Sequence, residues 1–270
     1  MYEFTYDHIP DTKKYLERIG FDEPVKLDID CLNSLVWHHQ CYVPFEDLSS
    51  AMFDEEVTLD TEVLFDKVVN RKRGGFCFEL NGLFVCLLRD LGFDAYSVMC
   101  RVESRRDILT PVMHRGVLVF LEGKRYFCDV GFGGPMAPFA VELSEVKQNY
   151  KNETYWCEES FSGWHLMCRG KGVGYGEDGS NDAERQPVVL FSETPFLNAD
   201  FLYHCDHCAN APDSGFRKMR MVNKRTEEGF VSLMGNKFTE VSAEGKTVME
   251  IKEEDVLALL KDRFGILHNN

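Results

Sequence analysis

The spacing of apolar residues changes near residue 92, and that change limits the folds open to this chain. Before it, apolar positions recur at helical intervals. In DTKKYLERIG, Asp11 stands as N-cap, Tyr15, Leu16 and Ile19 form a stripe, and Gly20 marks the stop. A second helix carries Leu32, Leu35, Val36 and His39 and must end before Pro44. VTLDTEVLFDKVVN continues in the same style, with Leu64, Phe65, Val68 and Val69. A fourth helix, 76–91, aligns Leu80, Leu83, Phe84, Leu87, Leu88 and Leu91 on one face and ends at Gly92.

After residue 92 the pattern is that of strands. MHRGVLVFLEGKRYFCDVGF reads as two β-rich runs joined at Glu122-Gly123, a hairpin signal. Short strand-like pieces, QPVVLF among them, continue to about 195, interrupted by GKGVGYGEDGSNDAERQ, which is expected to be an exposed loop. GFVSLMGNKFTEV and KTVMEI then read as strands, and EEDVLALLKDRFG as a closing helix with acids first and bases last. The chain is therefore expected to be α+β, with a helical unit at 1–92, a β unit at 93–195 and an α/β unit at 196–270. Its 270 residues exceed what one compact core usually holds, which fits several packed units.

A net charge of −15 argues against a nucleic acid or an anionic membrane surface as partner, since both need a basic field. No apolar run is long enough to span a bilayer. The start, MYEFTYDHIP, lacks a basic and then apolar leader, so a cytoplasmic protein with reduced thiols is expected. Its ten cysteines are then not a disulfide framework.

Within RGGFCFELNGLF, Cys77 lies three residues before Leu80, at the start of the fourth helix and on its inward face. Gly74 and Gly75 allow a tight turn before it. Free N–H groups at a helix start favour an anion, so a thiol there is expected to be lowered toward the nucleophilic thiolate. The competing reading is a packed, inert core cysteine. A cysteine nucleophile needs a base and a group to orient that base. Of the eight histidines, His8 and His268 are expected to be frayed. His114 heads the first hairpin strand and Asp129 ends the second, which makes them cross-strand neighbours or near-neighbours. A satisfied strand histidine and a turn-forming aspartate before Gly131 are the alternatives. HCDHC offers zinc-ligand types, but four ligands within five residues cannot surround one ion, and no metal is expected. The basic run FRKMRMVNKR suits either phosphates or a solvated strand face.

These segments, taken in order, resemble the arylamine N-acetyltransferase family. RGGFCFELN is similar to its active-cysteine motif, VPFEDL to its PFENL segment and DVGFGG to the loop after its catalytic acid. YLERIG, FGI and, less closely, DFLYHCDHCANAPDSGF also fit. The resemblance implies a helical bundle, a central β-barrel and an α/β lid around a cysteine-protease-like catalytic core. It implies Cys77 as acetyl acceptor, His114 as base and Asp129 as the orienting acid, in a ping-pong transfer from acetyl-CoA to an arylamine or hydrazine. The Cys77 N–H is a candidate oxyanion donor.

Phe45 and Phe132 occupy motif positions near the acceptor, although core packing would use them equally well. Gly131, Gly133 and Gly134 would let backbone approach the CoA pantetheine or pyrophosphate, with a bland turn as the alternative. Ser214 is the best-matched polar residue for CoA. Arg73 is expected to pair with Glu46 in the interior, and Asn81 to hydrogen-bond near the cleft. The sequence departs from the family at Met113, whose side chain is expected to face away from His114, at Asp47, and at His204–Cys208. A transglutaminase-like or papain-like thiol enzyme shares the same Cys, His, Asp order, and a non-enzymatic ligand-binding relative is the other rival.

Overall fold

The computed structural model describes residues 5–103, 109–151, 153–170 and 185–267. His268 and most of the Gly-rich stretch expected to be a loop lie outside them. Helix α1 (Thr12–Arg18) begins where Asp11 accepts the Lys14 N–H at 3.0 Å. Helix α2 (Ile29–Tyr42) is capped by Asp28. Helix α3 (Leu48–Ala51) is a single turn. Helix α4 (Thr61–Phe65) runs on as a π-helical turn over Asp66–Asn70. Helix α5 (Cys77–Asp90) is buried along almost its whole length. Its inward residues pack with those of α1, α2 and α4 in one core containing Tyr15, Leu35, Val68, Leu83 and Leu87.

Eight antiparallel strands follow: β2 (Asp94–Val102), β3 (His114–Leu121), β4 (Lys124–Cys128), β5 (Val141–Glu142), β6 (Gln148–Tyr150), β7 (Glu153–Glu159), β8 (Trp164–Arg169) and β9 (Gln186–Ser192). Their order is β5-β4-β3-β2-β9-β8-β7-β6. The two ends of this sheet meet through polar contacts. Glu142 N–H donates to the Gln148 side chain at 2.8 Å, and Cys157 N–H to Ser144 O at 3.0 Å, so the sheet is a nearly closed barrel. The two-residue period of β3 divides it between two cores. Val117 and Val119 face the helices, whereas Leu118 points into the barrel with Val98, Phe127 and Phe191. The hairpin turn at Glu122-Gly123 has both residues at positive φ, 52° and 77°, as a tight two-residue β-turn requires.

The last region begins with α6 (Leu202–Asn210) and α7 (Gly215–Lys218). A second sheet runs β1-β10-β11-β12-β13, with β10 (Met221–Arg225), β11 (Phe230–Met234), β12 (Lys237–Ser242) and β13 (Gly245–Glu250). Its first strand, β1 (Phe45–Glu46), comes from the helical region and pairs Phe45 with Asn223. Helix α8 (Val256–Leu259) and the π-turn after it cover this sheet through Leu260 and Phe264. Gly265 stops the chain's last helix at φ 73°. No helix among the described residues is long and apolar enough to cross a membrane.

Candidate active site

The start of α5 is fixed before its chemistry is considered. Phe76 has no capping side chain, so Glu79 caps the helix alone by accepting the Phe76 N–H at 3.0 Å. Lys67 holds that carboxylate at 2.7 Å. Upstream, Arg73 forms the expected buried pair with Glu46, with contacts at 2.8 and 3.1 Å, and also reaches Glu55 and Ser49. The glycine pair serves close packing rather than an unusual φ. A Cβ on Gly74 would lie 1.9 Å from Pro44 O, and one on Gly75 would lie 2.7 Å from the Glu79 carboxylate.

Cys77 is 3% exposed. Burial pushes its thiol well up, with Cys208 adding and the Arg115 backbone N–H pulling the other way. This reverses the lowering expected from the helix start: loss of water outweighs the field of the free N–H groups. His114 and Asp129 meet as the hairpin predicts. Val117 pairs with Cys128 across β3 and β4, so His114 heads one strand and Asp129 lies one residue beyond the other. His114 Nε2 and Asp129 Oδ2 are 2.6 Å apart, both side chains being almost fully buried.

Asn81, one turn beyond Cys77, does more than lie near the cleft. Its Nδ2 donates to Asp129 Oδ1 at 2.7 Å and to Arg115 O at 2.6 Å, and its Oδ1 accepts the Val130 N–H at 2.9 Å. The Gly131 N–H also donates to Asp129 Oδ1, at 2.9 Å. Both carboxylate oxygens are therefore engaged. With Nε2–H donated to Asp129, Nδ1 is the ring nitrogen left with a lone pair. The peptide after His114 lies beside the Cys77 sulfur. The other described histidines are spent elsewhere or lack an acid beside them. His39 bonds Tyr15 at 2.9 Å and is pushed down to about 3 by burial, and His165 faces Glu193 at 2.7 Å. His8, expected to be frayed, bonds Asp90 at 2.6 Å.

Phe132 packs edge-on against His114, 5.4 Å between ring centres. It shares a recess with Phe45, Asp129, Gly134, Asn223 and Arg225. Gly131 is required by the cysteine, since a Cβ there would lie 2.9 Å from the Cys77 Cα. At Gly133 a Cβ would meet the Phe45 ring at 2.9 Å, while at Gly134 the nearest contact is an ordinary 3.4 Å. Ser214 donates to Cys208 O at 2.6 Å and caps α7. Met113 precedes β3, so strand alternation does not govern it. It packs, partly buried, on the apolar cluster that holds Cys77.

In HCDHC, Cys205 and Cys208 point inward and His207 outward. The basic run divides: Arg220 pairs with Glu253, Arg225 with Glu153, Gln40 and Met136 O, and Arg217 and Lys218 are exposed. Asp47 accepts the Met221 N–H at 2.8 Å, and its second oxygen is buried without a partner.

Residues 28–269 match the family model described as N-acetyltransferase. The arylamine N-acetyltransferase / N-hydroxyarylamine O-acetyltransferase of Salmonella typhimurium is 31% identical over 244 residues, covering 88% of this chain and 82% of that protein. A solved structure of arylamine N-acetyltransferase from the same organism superposes with a TM-score of 0.86 at 26% identity, covering 97% of this chain and 94% of the other. The Mycobacterium marinum arylamine N-acetyltransferase in complex with CoA superposes at 0.83, with 26% identity and 95% and 93% coverage.

Proposed function

The chain belongs to the arylamine N-acetyltransferase family, and from that premise we propose a two-step acetyl transfer from acetyl-CoA, through Cys77, to the nitrogen of an arylamine or hydrazine. The observation that carries this reading is the buried His114–Asp129–Asn81 network, in which Asp129 is held by Asn81, by the Gly131 N–H and, at its carbonyl, by Gln40, and holds His114 in turn, with Cys77 set against it at Gly131 and the Arg115 N–H.

An isolated thiolate at a buried site is costly, so the proton of Cys77 moves to His114 Nδ1 rather than to water. The pair stays neutral as a unit, and Asp129 stabilises the imidazolium. The thiolate sulfur attacks the acetyl carbonyl carbon of acetyl-CoA. The tetrahedral oxyanion forms at the start of α5, with the Cys77 N–H as its donor. Its collapse breaks the bond to the CoA sulfur, which takes the proton from His114 and leaves. An amine then attacks the acetyl-cysteine. His114 removes the amine proton and returns it to the Cys77 sulfur as the amide departs.

Phe45 and Phe132 flank the acceptor. The recess between them has room for about 30 Å3, so an arylamine ring enters by displacing the half-buried Phe132 side chain. Of the positions expected at CoA, Gly131 and Gly133 are spent on internal packing. The Ser214 hydroxyl is likewise taken, by Cys208 O and the Phe216 N–H, which leaves Gly134 for the pantetheine arm.

The test is intact mass after incubation with acetyl-CoA and no amine. One acetyl group is expected on the native chain, none on Cys77→Ala, and an added arylamine should discharge it. A thiol that alkylates quickly but takes no acetyl group would favour a thiol hydrolase or amide transferase. An inert thiol would return Cys77 to the role of a packed core cysteine.

A further inference from the structure

Helix α6 turns two thiols, Cys205 and Cys208, inward, both 3% exposed. They lie in one buried cluster with Phe45, Phe76, Cys77 and Phe78. Ring contacts beside these cysteines show that α6 and the start of α5 pack directly. Phe78 meets Phe201 at 5.9 Å and His204 at 6.3 Å. Three thiols in one apolar cluster exceed what packing requires, since any small apolar side chain would fill the same space.

The two α6 cysteines have different surroundings. Among charged groups Cys205 feels Glu79 most strongly. Cys208 is the group that, after burial itself, does most to push the Cys77 thiol up, ahead of Cys205. The end of α6 that carries Cys208 is tied down by the Ser214 hydroxyl.

We propose that Cys208 is a resolving thiol for Cys77, so that oxidation of the Cys77 sulfur by a hydroperoxide ends in a reversible Cys77–Cys208 disulfide. The inference rests on Cys77 being the reactive nucleophile of the transfer reaction. The Cys77 thiolate attacks one peroxide oxygen, the O–O bond breaks, and the leaving hydroxide takes the proton from His114 and departs as water. Cys77 is now a sulfenic acid. Cys208, pushed up to about 11 by burial, is a poor nucleophile until His114 accepts its proton. Its thiolate attacks the Cys77 sulfur, the S–O bond breaks, and hydroxide leaves with the proton from His114 as a second water. Two thiols and one hydrogen peroxide give one disulfide and two waters. The bond stops oxidation at a rung that a dithiol reverses, whereas sulfinic and sulfonic acids are not recovered.

Hydrogen peroxide is the probe, and peptide mapping with intact mass is the readout. The acetyl-CoA labelling of Cys77 described above is run on the same preparation. The native chain should lose two hydrogen atoms, yield a peptide joining residues 77 and 208, and stop accepting acetyl groups until dithiothreitol restores it. Cys205→Ser should behave as the native chain does. Cys208→Ser should still take up acetyl before peroxide, then gain two or three oxygens on Cys77, as sulfinic or sulfonic acid, and stay inactive after dithiothreitol. Oxygen addition to Cys77 in the native chain, or a disulfide through Cys205, would overturn the inference while leaving the transfer mechanism standing. Failure of acetyl labelling before any peroxide is added would remove the premise, and both readings would fall together.

Discussion

Two buried polar clusters lie on either side of the Gly74–Cys77 junction, and they are built differently. Upstream, Arg73, Glu46, Glu55, Lys67 and Glu79 pair two bases with three acids. Burial would push the Glu46 carboxyl up, but Lys67, Arg73 and the Leu48 N–H outweigh it and hold it below its ordinary value. Downstream, Asp129 forms no ion pair with an arginine or lysine among the described residues. Its partners are His114, the amide of Asn81, the Gly131 N–H and, through its backbone carbonyl, Gln40. In the first cluster the fully buried charges cancel, Arg73 against Glu46 and Lys67 against Glu79, the third acid, Glu55, is partly exposed, and the geometry is locked. The second retains one acid whose natural counter-charge is a proton on His114. A saturated ion network serves the fold, whereas a network short of one charge can hold that proton during a reaction.

The largest effect that would separate the two clusters is expected from Asp129→Asn. The shape is kept, but the histidine loses the acid that fixes its tautomer and stabilises its charge. Acetyl transfer should fall by about 10^3–10^4-fold, with the unfolding midpoint little changed. Steady-state kinetics beside a urea titration would show whether activity and stability separate in this way. The opposite result is expected from Arg73→Met, which leaves Glu46 buried without its partner. Stability should fall by about 3–5 kcal/mol, while the fraction that remains folded still takes an acetyl group onto Cys77. A full loss of acetylation in that folded fraction would mean that the upstream cluster also sets the chemistry.

How much of this was legible depended on how local the determinant is. The helix from Cys77 and the hairpin at Glu122-Gly123 are written in adjacent residues, so periodicity and turn chemistry found them, and with them the His114–Asp129 contact. Arg73 with Glu46 followed from the cost of burying a charge. Strand β1 is two residues long and is specified by a partner almost 180 positions away, so no local pattern announces it. The roles of Gly74 and Gly131 lay in what packs against them, Pro44 O and the Cys77 Cα, and not in their own φ. The direction of the Cys77 shift depended on the depth of burial, which a helix position alone does not state.

Asn81 links the two regimes, because it is a neutral residue on the helix that the ion cluster anchors. Asn81→Ala removes contacts to Asp129, Arg115 and Val130 at once. A displaced acid should reduce kcat by about 10²-fold, with KM for acetyl-CoA nearly constant. A rise in KM at unchanged kcat would make Asn81 a binding residue instead of a positioning one.

The smallest effect concerns Asp47, which borders the upstream cluster yet has no base of its own. Burial pushes its carboxyl up to about 8, against the Met221 N–H and with the Glu46 charge adding. The unfolded chain releases this proton near its ordinary value of 3.8, while the folded chain keeps it to about 8. Between those values the folded state binds more protons, so stability must fall as pH rises through the window, by at most about 1.4 kcal/mol per pH unit. Asp47→Asn keeps an oxygen for the Met221 N–H and has nothing to titrate. The variant should therefore gain on the native chain steadily from about pH 4 to about pH 8 and by no more above it. Urea unfolding of both chains across that range tests the point. Parallel curves would mean that Asp47 is ionised throughout and that the upstream cluster reaches far enough to neutralise it, which would make it a sixth member of the locked network.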